Sequence, residues 1–486
     1  MAVGLAVQTS GSHPQTSQQD TVFSTQLPRA VPANCPALGF RRLNRRQQPH
    51  QATRVCRAAA ATKDATAVAT PAGSSATGSD DLINHTEDSV LVAGAGIGGL
   101  AVAAALHKVG IPVIVLERSE KLREEGGAIA LWTNAFRALD ALGVAHTLRD
   151  EHPLLERVEL ATKDGRVLRS FGLDECEGAP HEFRGMRRSD LLKALASNLP
   201  LARLHYGCAI ARVSSDLNGA VVVLEDGRRF RGRAVVGADG VRSCVAATLN
   251  MPEPSYAGYA AHRGIASFPE GLPLPLNTVR QVWGTGVRAG MYPVSANEVY
   301  WFTVFNEAQS PIDQTPGQRK AEALATVRGW RLGVEEAVEA TPARDITRNR
   351  ITDRWGTPGL PFGDGAITLV GDAAHPMTPN LGQGGCAALE DAVVLARCLR
   401  DTAPSPGAHA PDWFRAVSTA SVAEALRKYE RERTERCVPL TIRSHMMGRL
   451  LQLPFLPVSL VRNAFVAKFF SPAHFLDHAK YDCGSL

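Results

Sequence analysis

The feature that most constrains the fold is a glycine cluster directly after a short apolar run. Val90–Ala93 consists of β-branched and small residues, the composition of a buried parallel strand. Gly94, Gly96 and Gly99 follow at the GxGxxG spacing, and residues 100–109 contain several alanines and no helix breaker. The first glycine permits a tight turn, the second lets a pyrophosphate approach the backbone, and the third lets the helix pack on the strand. The pattern predicts a dinucleotide site at the positive end of that helix.

A second apolar run, at 112–116, ends in Glu117, which lies 21 residues beyond Gly96. At that distance a carboxylate binds the hydroxyls of the adenosine ribose, and it disfavours a 2′-phosphate. The motif alone leaves NAD and FAD open. The cofactor-binding residues predicted in this first unit are Gly94, Gly96, Gly99, Glu117 and Arg118.

The sequence contains four Asp-Gly pairs, of which three predict turns and one predicts a second candidate site. The pairs at Asp164, Asp226 and Asp364 lie between strand-like segments and predict hairpin turns. Asp239 instead follows the apolar run AVVGA and precedes the helix-like VRSCVAATL. It stands at the carboxyl end of a buried strand, where open α/β sheets bind ligands. We therefore interpret Asp239 as a cofactor-binding residue, with a turn as the alternative.

A third candidate site is LVGDAAHPMTPNLGQGGCAALEDA at 369–392. Its apolar strand ends in Asp372, whose carboxylate suits a polyol hydroxyl such as that of a ribityl chain. Pro379 stiffens the loop that walls a flat ring, and His375 in the same loop is either a catalytic base or a structurally bonded histidine. Three glycines in this loop leave the backbone N–H groups and the N-terminus of the following helix uncovered, so that these groups would stabilise negative charge on the ring. The glycines concerned are Gly382, Gly384 and Gly385.

Together these motifs resemble the single-component (group A) FAD-dependent monooxygenases of the p-hydroxybenzoate hydroxylase type. The matching segments are GAGIGG at 94–99, GADGVRS at 237–243 and GDAAHPMTPNLGQGG at 371–385. MRRSDLLKAL from Met186 resembles the family's arginine-bearing helix start, which implies that Arg188 contacts FAD. The resemblance covers residues 88 to about 436. GQGGCAALED and YWF look closest to zeaxanthin epoxidase-like and plant monooxygenase-like members.

The resemblance implies both a fold and a chemistry. The fold is α/β, a Rossmann-like GxGxxG FAD-binding domain with an inserted mixed β-sheet substrate domain. FAD is the cofactor, NAD(P)H the co-substrate and O2 the oxidant, and a flavin C4a-hydroperoxide hydroxylates or epoxidises an aromatic or lipophilic small molecule. Pro379, Gly384 and Gly385 would lie at the reacting ring. Two alternatives stay open: a reductase, dehydrogenase or cyclase on this fold, and a flavin-binding protein without turnover.

The region 251–364 contains no second GxGxxG, and its strand-like pattern predicts the sheet that covers one face of the flavin. Several of its residues are candidates for the substrate pocket. They are Arg263, Trp283, Met291, Tyr292, Trp301 and Phe305. For each aromatic residue and Met291 the alternative is packing of the sheet against a helix, and for Arg263 it is a surface ion pair.

The motifs and composition divide the chain into segments. The predicted segments are 1–62, a plastid transit peptide; 63–87, a flexible linker; 88–160, 183–250 and 365–437, the FAD-binding domain; 161–182, an excursion into the substrate sheet; 251–364, the substrate domain; and 438–486, a basic and apolar helical segment.

Residues 1–62 contain seven arginines and a single acid, and lack a long apolar core, as is typical of an organellar leader that would place the protein in the chloroplast. The rest of the chain is close to neutral, so the positive net charge of +5 gives no case for nucleic-acid binding. Nine cysteines without a CxxC pair argue against a disulfide framework and against a metal site.

The C-terminal part carries two further predictions. The charged helix starting at Ala423 predicts a solvated face. Residues 438–476 hold four basic residues and no acid, and Pro439, Pro454 and Pro457 predict breaks between short helices. These helices either pack on the FAD domain or present a basic apolar face to an anionic membrane.

Overall fold

The computed structural model describes residues 83–122, 127–308, 313–354, 361–403 and 413–486. The predicted transit peptide lies outside the described residues. The strands are β1 Ile83–His85, β2 Val90–Ala93, β3 Val113–Leu116, β4 Ala128–Trp132, β5 Arg157–Thr162, β6 Val167–Gly172, β7 Phe183–Arg187, β8 Leu204–His205, β9 Ile210–Asp216, β10 Gly219–Leu224, β11 Arg229–Gly232, β12 Ala234–Gly237, β13 Ser255–Ser267, β14 Thr278–Trp283, β15 Val287–Pro293, β16 Glu298–Asn306, β17 Thr347–Asp353 and β18 Ile367–Leu369. The α-helices are α1 Ile97–Lys108, α2 Thr133–Leu142, α3 Ala145–Glu151, α4 Arg188–Ser197, α5 Cys244–Thr248, α6 Pro316–Val327, α7 Val334–Ala340, α8 Gly384–Arg400, α9 Thr419–Leu451 and α10 Leu456–Phe469.

A parallel sheet carries the three sequence motifs. Its strand order is β18-β12-β2-β3-β8, and β2, β3, β12 and β18 are buried along their whole length, as their unbroken apolar runs require. Helix α1 packs against α8 beside it. Because β2, β12 and β18 are neighbours running the same way, the residues that follow them meet at one edge of the sheet. Gly94, Asp239 and Asp372 therefore converge, although they lie far apart in the sequence.

A mixed sheet forms the second layer, in the order β17-β13-β16-β15-β14-β5-β6. Strand β14 runs parallel to β5, and the other neighbouring pairs are antiparallel. Since β5 starts at Arg157, the chain enters this sheet a few residues before the predicted excursion at 161–182. The parallel and mixed sheets together confirm the predicted α/β fold.

The two faces of the mixed sheet pack against different elements. One face joins a core built with α6 and α7, whose members include Val327 and Val338. The other face contributes Tyr292 and Tyr300 to the main core, which contains the parallel sheet. The side of the sheet on which a residue lies therefore decides whether it can approach the loops that follow β2, β12 and β18.

Smaller strand pairings bear on four predictions. Gly165 and Gly227, both with positive φ, turn the chain between β5 and β6 and between β10 and β11, and Asp364 closes a tight turn onto Ile367. The three predicted Asp-Gly turns are thus confirmed. The prediction of a linker extending to residue 87 is wrong at its end, because β1 pairs with β11.

Helix α9 differs from its predicted form in two ways. It runs through Pro439, so this proline does not end a helix, although it removes one intrahelical donor. The break comes later, and α10 starts with Pro457 in its first turn. The prediction that this helix has a solvated face is also wrong in part, because Glu430 and Arg433 are buried against the parallel-sheet layer.

Candidate active site

The glycine turn after β2 is closed on one side and open on the other. Gly94 has a φ of +101°, and a Cβ there would lie 2.9 Å from the carbonyl oxygen of Ala238. A Cβ at Gly99 would lie 1.9 Å from the carbonyl oxygen of Gly94, so α1 packs directly on the turn. At Gly96 the nearest atom is Nη2 of Arg188, 4.0 Å from a Cβ. The turn has room for a pyrophosphate, with a guanidinium beside it.

Glu117 lies next to this turn at the carboxyl end of β3. Its carboxylate accepts hydrogen bonds from the Ala95 N–H at 2.7 Å and the Ser119 N–H at 2.9 Å. The side chain stays partly exposed, which leaves lone pairs for ligand hydroxyls. Arg118 follows it with an exposed side chain.

Asp239 lies against Gly94 but has a local partner set that the sequence did not reveal. Its carboxylate accepts hydrogen bonds from Ser243 Oγ at 2.5 Å and from the Cys244 N–H at 2.7 Å. These bonds fix the start of α5, and burial raises the pKa of Asp239. The structure therefore shows a helix-capping role for Asp239, and its contact with a cofactor stays a proposal.

Asp372 is a carboxylate that faces the open cleft. Its side chain is exposed, and no hydrogen bond to a described residue engages it. Protein on its other sides displaces water and raises its pKa, while the positive charges of His375, Arg188 and Arg263 lower it. A Cβ at Gly384 would lie 3.9 Å from its Oδ1. Asp372, Arg188, Arg263 and the start of α8 thus form one site.

The glycine loop before α8 has an open part and a closed part. Gly384 starts the helix with nothing closer to a Cβ than 3.9 Å, and Pro379 has an exposed side chain. In contrast, a Cβ at Gly385 would lie 2.5 Å from Cδ1 of Ile129 on β4. Gly382 has a φ of +63° and packs beside Trp132. A planar ring that reached this loop would meet bare backbone at Gly384 and the ring of Pro379.

Beneath the loop lies a buried ionic network that the sequence analysis missed. His375 Nε2 lies 2.8 Å from Asp391 Oδ2, which also accepts a hydrogen bond from the Gly371 N–H at 2.7 Å. Arg433 donates to Asp391 Oδ1 and to Glu390 Oε2, both at 2.6 Å. Despite burial, His375 and Arg433 lower the pKa of Asp391 to about 2. His375 therefore has a structural bond, the favoured interpretation. In the sequence, the only sign of these acids was the segment Leu389-Glu390-Asp391, which follows the glycines.

Three atoms that could bind a metal ion, one each from His375, Asp391 and Cys437, lie within 4.8 Å of one another. The guanidinium of Arg433 occupies this cluster, since it bonds to Asp391 and lies 3.4 Å from Cys437 Sγ. A cation at that position would meet a fixed positive charge. The cluster fits a charge network better than a metal site.

The face of the mixed sheet towards the glycine loops carries several polar side chains. The rings of Tyr292 and Tyr300 lie with their centroids 4.9 Å apart and are tilted by 40°, and the positive charge of Arg263 acts on both hydroxyl groups. Arg263 is half-buried and has no side-chain hydrogen bond or ion pair with a described residue. Arg288, also on this face and fully buried, donates to Asn380 in the Pro379 loop. Arg288 did not stand out in the sequence, because it lies in no motif, and Tyr300 was noted only as the first residue of YWF.

The opposite face holds three residues that the sequence analysis placed at the substrate. Trp301 donates from Nε1 to Thr341 Oγ1 at 2.7 Å, and it shares the core of α6 and α7 with Met291. Phe305 stacks on His262 on the same side. For these residues the packing alternative is right, because strand alternation turns them away from the loops. Trp283 remains on the loop-facing side, where Arg462 lies 5.0 Å from its ring.

A dinucleotide cradle, an exposed acid beside a glycine-started helix and a covering mixed sheet define a flavoprotein of the aromatic-hydroxylase class. Comparison with known proteins agrees: the model of the FAD binding domain family matches residues 87–405. The chain belongs to this family of FAD-dependent monooxygenases, and FAD is its cofactor.

Individual relatives support the same assignment. The chain is 33% identical over 411 residues to monooxygenase 1 of Arabidopsis thaliana, covering 82% of this chain and 100% of that protein. It is 34% identical over 370 residues to the aurachin C monooxygenase/isomerase of Stigmatella aurantiaca, covering 75% and 90%. Chloroplastic zeaxanthin epoxidase of Oryza sativa is 31% identical over 408 residues, but only 59% of its length is matched. Among solved structures, Klebsiella pneumoniae HpxO complexed with FAD and uric acid superposes with a TM-score of 0.69 at 25% identity, covering 82% and 96%.

Proposed function

We propose that this FAD-dependent monooxygenase takes electrons from NAD(P)H and inserts one oxygen atom into an aromatic or lipophilic plastid metabolite, by hydroxylation or epoxidation. The observation that carries the proposal is the convergence of Arg188, Arg263 and Asp372 at the bare start of α8. Relatives named monooxygenase or epoxidase support this reaction type.

The described residues fit FAD at both of its ends. Gly96 leaves room for the pyrophosphate and Arg188 supplies a positive charge to it. Glu117 is oriented by two backbone donors to receive the ribose hydroxyls. Asp372 offers an exposed carboxylate to a hydroxyl of the ribityl chain. Gly382 and Gly385 let the loop close onto β4, so that Gly384 can meet the ring edge with backbone only.

When bound, FAD supplies the activation of O2 and the transfer of one oxygen atom. The chain's own contribution is to orient the ring and exclude water. The positive end of α8 stabilises negative charge at the ring edge, and Pro379 forms part of the wall above it. Arg263 faces the cleft without a described partner, so it is suited to an acidic or carbonyl oxygen of the substrate. The rings of Tyr292 and Tyr300, tilted by 40° to one another, give aromatic contacts on the side of the mixed sheet that faces the loops.

A metabolite screen of plastid pigments and phenolics tests the proposal. The purified holoprotein is mixed with each compound and with NADPH or NADH, and cofactor oxidation, O2 uptake and product mass are recorded with isotopically labelled O2. A substrate should accelerate NAD(P)H oxidation and gain one labelled oxygen atom. Oxidation of NAD(P)H without any oxygenated product would instead favour a reductase or dehydrogenase. Tight FAD without NAD(P)H oxidation would favour a non-catalytic flavoprotein.

We also propose that residues 1–62 direct the protein to the chloroplast. The arginine-rich, acid-poor composition supports this, as does the chloroplastic designation of the zeaxanthin epoxidase relatives. A fluorescent protein fused after residue 62 should enter plastids of plant cells. The same fusion with its seven arginines changed to glutamine is the control and should stay outside. Cytosolic fluorescence from the unaltered fusion would contradict the assignment.

A further inference from the structure

Large apolar side chains that are exposed concentrate at one place in the described chain. Four of the ten are scattered at Val167, Leu201, Leu217 and Leu276, as is normal for a protein surface. The other six lie within 24 residues of one another and form what we call the C-terminal apolar patch. Its members are Met446 (57% exposed), Phe455 (58%), Leu456 (61%), Leu460 (57%), Val461 (70%) and Phe469 (71%). A cluster of this kind marks an interaction surface.

Helix α10 exposes apolar side chains on the face where a surface helix would be polar. Leu456, Leu460 and Val461 follow the helical repeat and point outwards. The opposite face packs on the protein and contains the polar residues Ser459 and Asn463, both buried. A helix that meets only water should have its apolar stripe inside. The outward stripe therefore indicates that something apolar covers it.

The charges around the patch select the kind of partner. Residues 438–476 contain four basic residues and no acid. Two of the basic residues, Arg449 and Lys468, are exposed on α9 and α10, whereas Arg462 is engaged with the Leu451 and Gly284 carbonyl oxygens. A second copy of the chain would bring the same positive charges to the patch. A surface with an apolar interior and negative headgroups complements both features.

Among the described helices, none alone is long and apolar enough to cross a bilayer, and α9 and α10 meet that requirement only as a pair bent by 115°. We propose that the C-terminal apolar patch docks on an anionic lipid bilayer, with α10 lying in the interface. A Cβ at Gly286, in the turn between β14 and β15, would lie 3.2 Å from Pro454. Docking would thus hold one end of the mixed sheet at the lipid surface.

Flotation of the full-length holoprotein with vesicles tests the proposal. The vesicles contain phosphatidylcholine either alone or with about 25 mol% phosphatidylglycerol. Wild type should float with the anionic vesicles and lose that binding in high salt. The double variant Leu460→Ser/Val461→Ser should bind about tenfold more weakly, because two interfacial apolar side chains are lost. Lys468→Glu should weaken binding to the anionic vesicles only.

The matched control is Leu201→Ser/Leu217→Ser, which alters two even more exposed leucines outside the patch. It should float like wild type. Every variant keeps residues 1–82, so any contribution of the arginine-rich N-terminal region is common to all of them. Flavin absorbance, which should be the same in all variants, shows that each is folded. Equal flotation of the patch and control variants, or a wild-type dimer that the patch variant dissociates without any vesicle binding, would overturn the proposal.

Discussion

At the scale of single residues, two acids that look alike in the sequence have different surroundings in the structure. Asp239 and Asp372 both follow buried strands of the parallel sheet. The carboxylate of Asp239 is engaged by Ser243 and by the start of α5, whereas that of Asp372 is exposed to the cleft. Hydrogen bonds from nearby groups decide whether each acid is available to a ligand. The apolar residues that precede the acid do not show this difference.

Replacing Asp372 by alanine should weaken FAD binding severely, by about tenfold or more, because a charge-assisted hydrogen bond to the ribityl chain is lost. The measurement is titration of the apoprotein with FAD, followed by flavin fluorescence. Asp364→Ala is the matched control, since Asp364 is an exposed turn residue, and it should bind FAD like wild type. Equal FAD affinity in the two variants would contradict the assigned role of Asp372.

Replacing Arg263 by alanine should raise KM for an acidic or carbonyl-bearing substrate while leaving FAD content unchanged. The expected increase in KM is about tenfold or more, the cost of one charge-assisted hydrogen bond. Steady-state kinetics with the substrate found in the screen measures it. Arg344→Ala, which changes an arginine that is 84% exposed, should have no effect on KM. An unchanged KM in the Arg263 variant would place the substrate's polar group elsewhere.

At the scale of elements, α8 and α9 are held together by buried charges under the glycine loop. Arg433 of α9 is fully buried and bonds to both Glu390 and Asp391 of α8. Changing Arg433 to methionine should lower the free energy of unfolding by about 3–5 kcal/mol, because two buried carboxylates lose the counter-charge that they share and keep only His375 and Arg436 as partners. Urea unfolding of the holoprotein measures this. Arg344→Ala should change it by less than about 0.5 kcal/mol, and a similarly small effect at Arg433 would show that the network does not hold these helices.

The same network predicts how stability depends on pH. Burial alone would lower the pKa of His375, but the negative charge of Asp391 outweighs it and raises the pKa well above its usual value. A pKa raised by folding adds stability that is complete below the unfolded value of about 6.5 and is lost as pH rises through the folded value. The difference in unfolding free energy between wild type and His375→Gln should therefore shrink from neutral to alkaline pH. His146→Gln, at an exposed histidine, should show no such trend, and a constant difference for His375 would mean that it is neutral in the fold.

At the scale of the whole molecule, the sequence predicted what local rules control and missed what depends on the third dimension. The glycine turn, Glu117, Asp372 and the α/β fold follow from runs and spacings that act over short stretches of chain. The orientation of Trp301 could not be predicted in the same way, since it depends on which side of β16 receives α6 and α7. The partner of Asp391 could not be predicted either, because Arg433 lies in a charged helix that has the composition of a solvated one.

Because the FAD-binding residues come from segments that are distant in the sequence, FAD should stabilise the fold as one unit. All of the described residues belong to a single compact unit, so loss of the cofactor site and loss of the fold should coincide. Ligand at about a hundredfold excess over its Kd adds about 2.7 kcal/mol to the free energy of unfolding. Urea titrations monitored by flavin release and by circular dichroism should therefore coincide and shift together when FAD is added. Asp372→Ala should show the smaller shift that its weaker binding dictates. Release of FAD well before the loss of secondary structure would mean that the parallel and mixed sheets separate independently, and that the converging segments do not make one cooperative site.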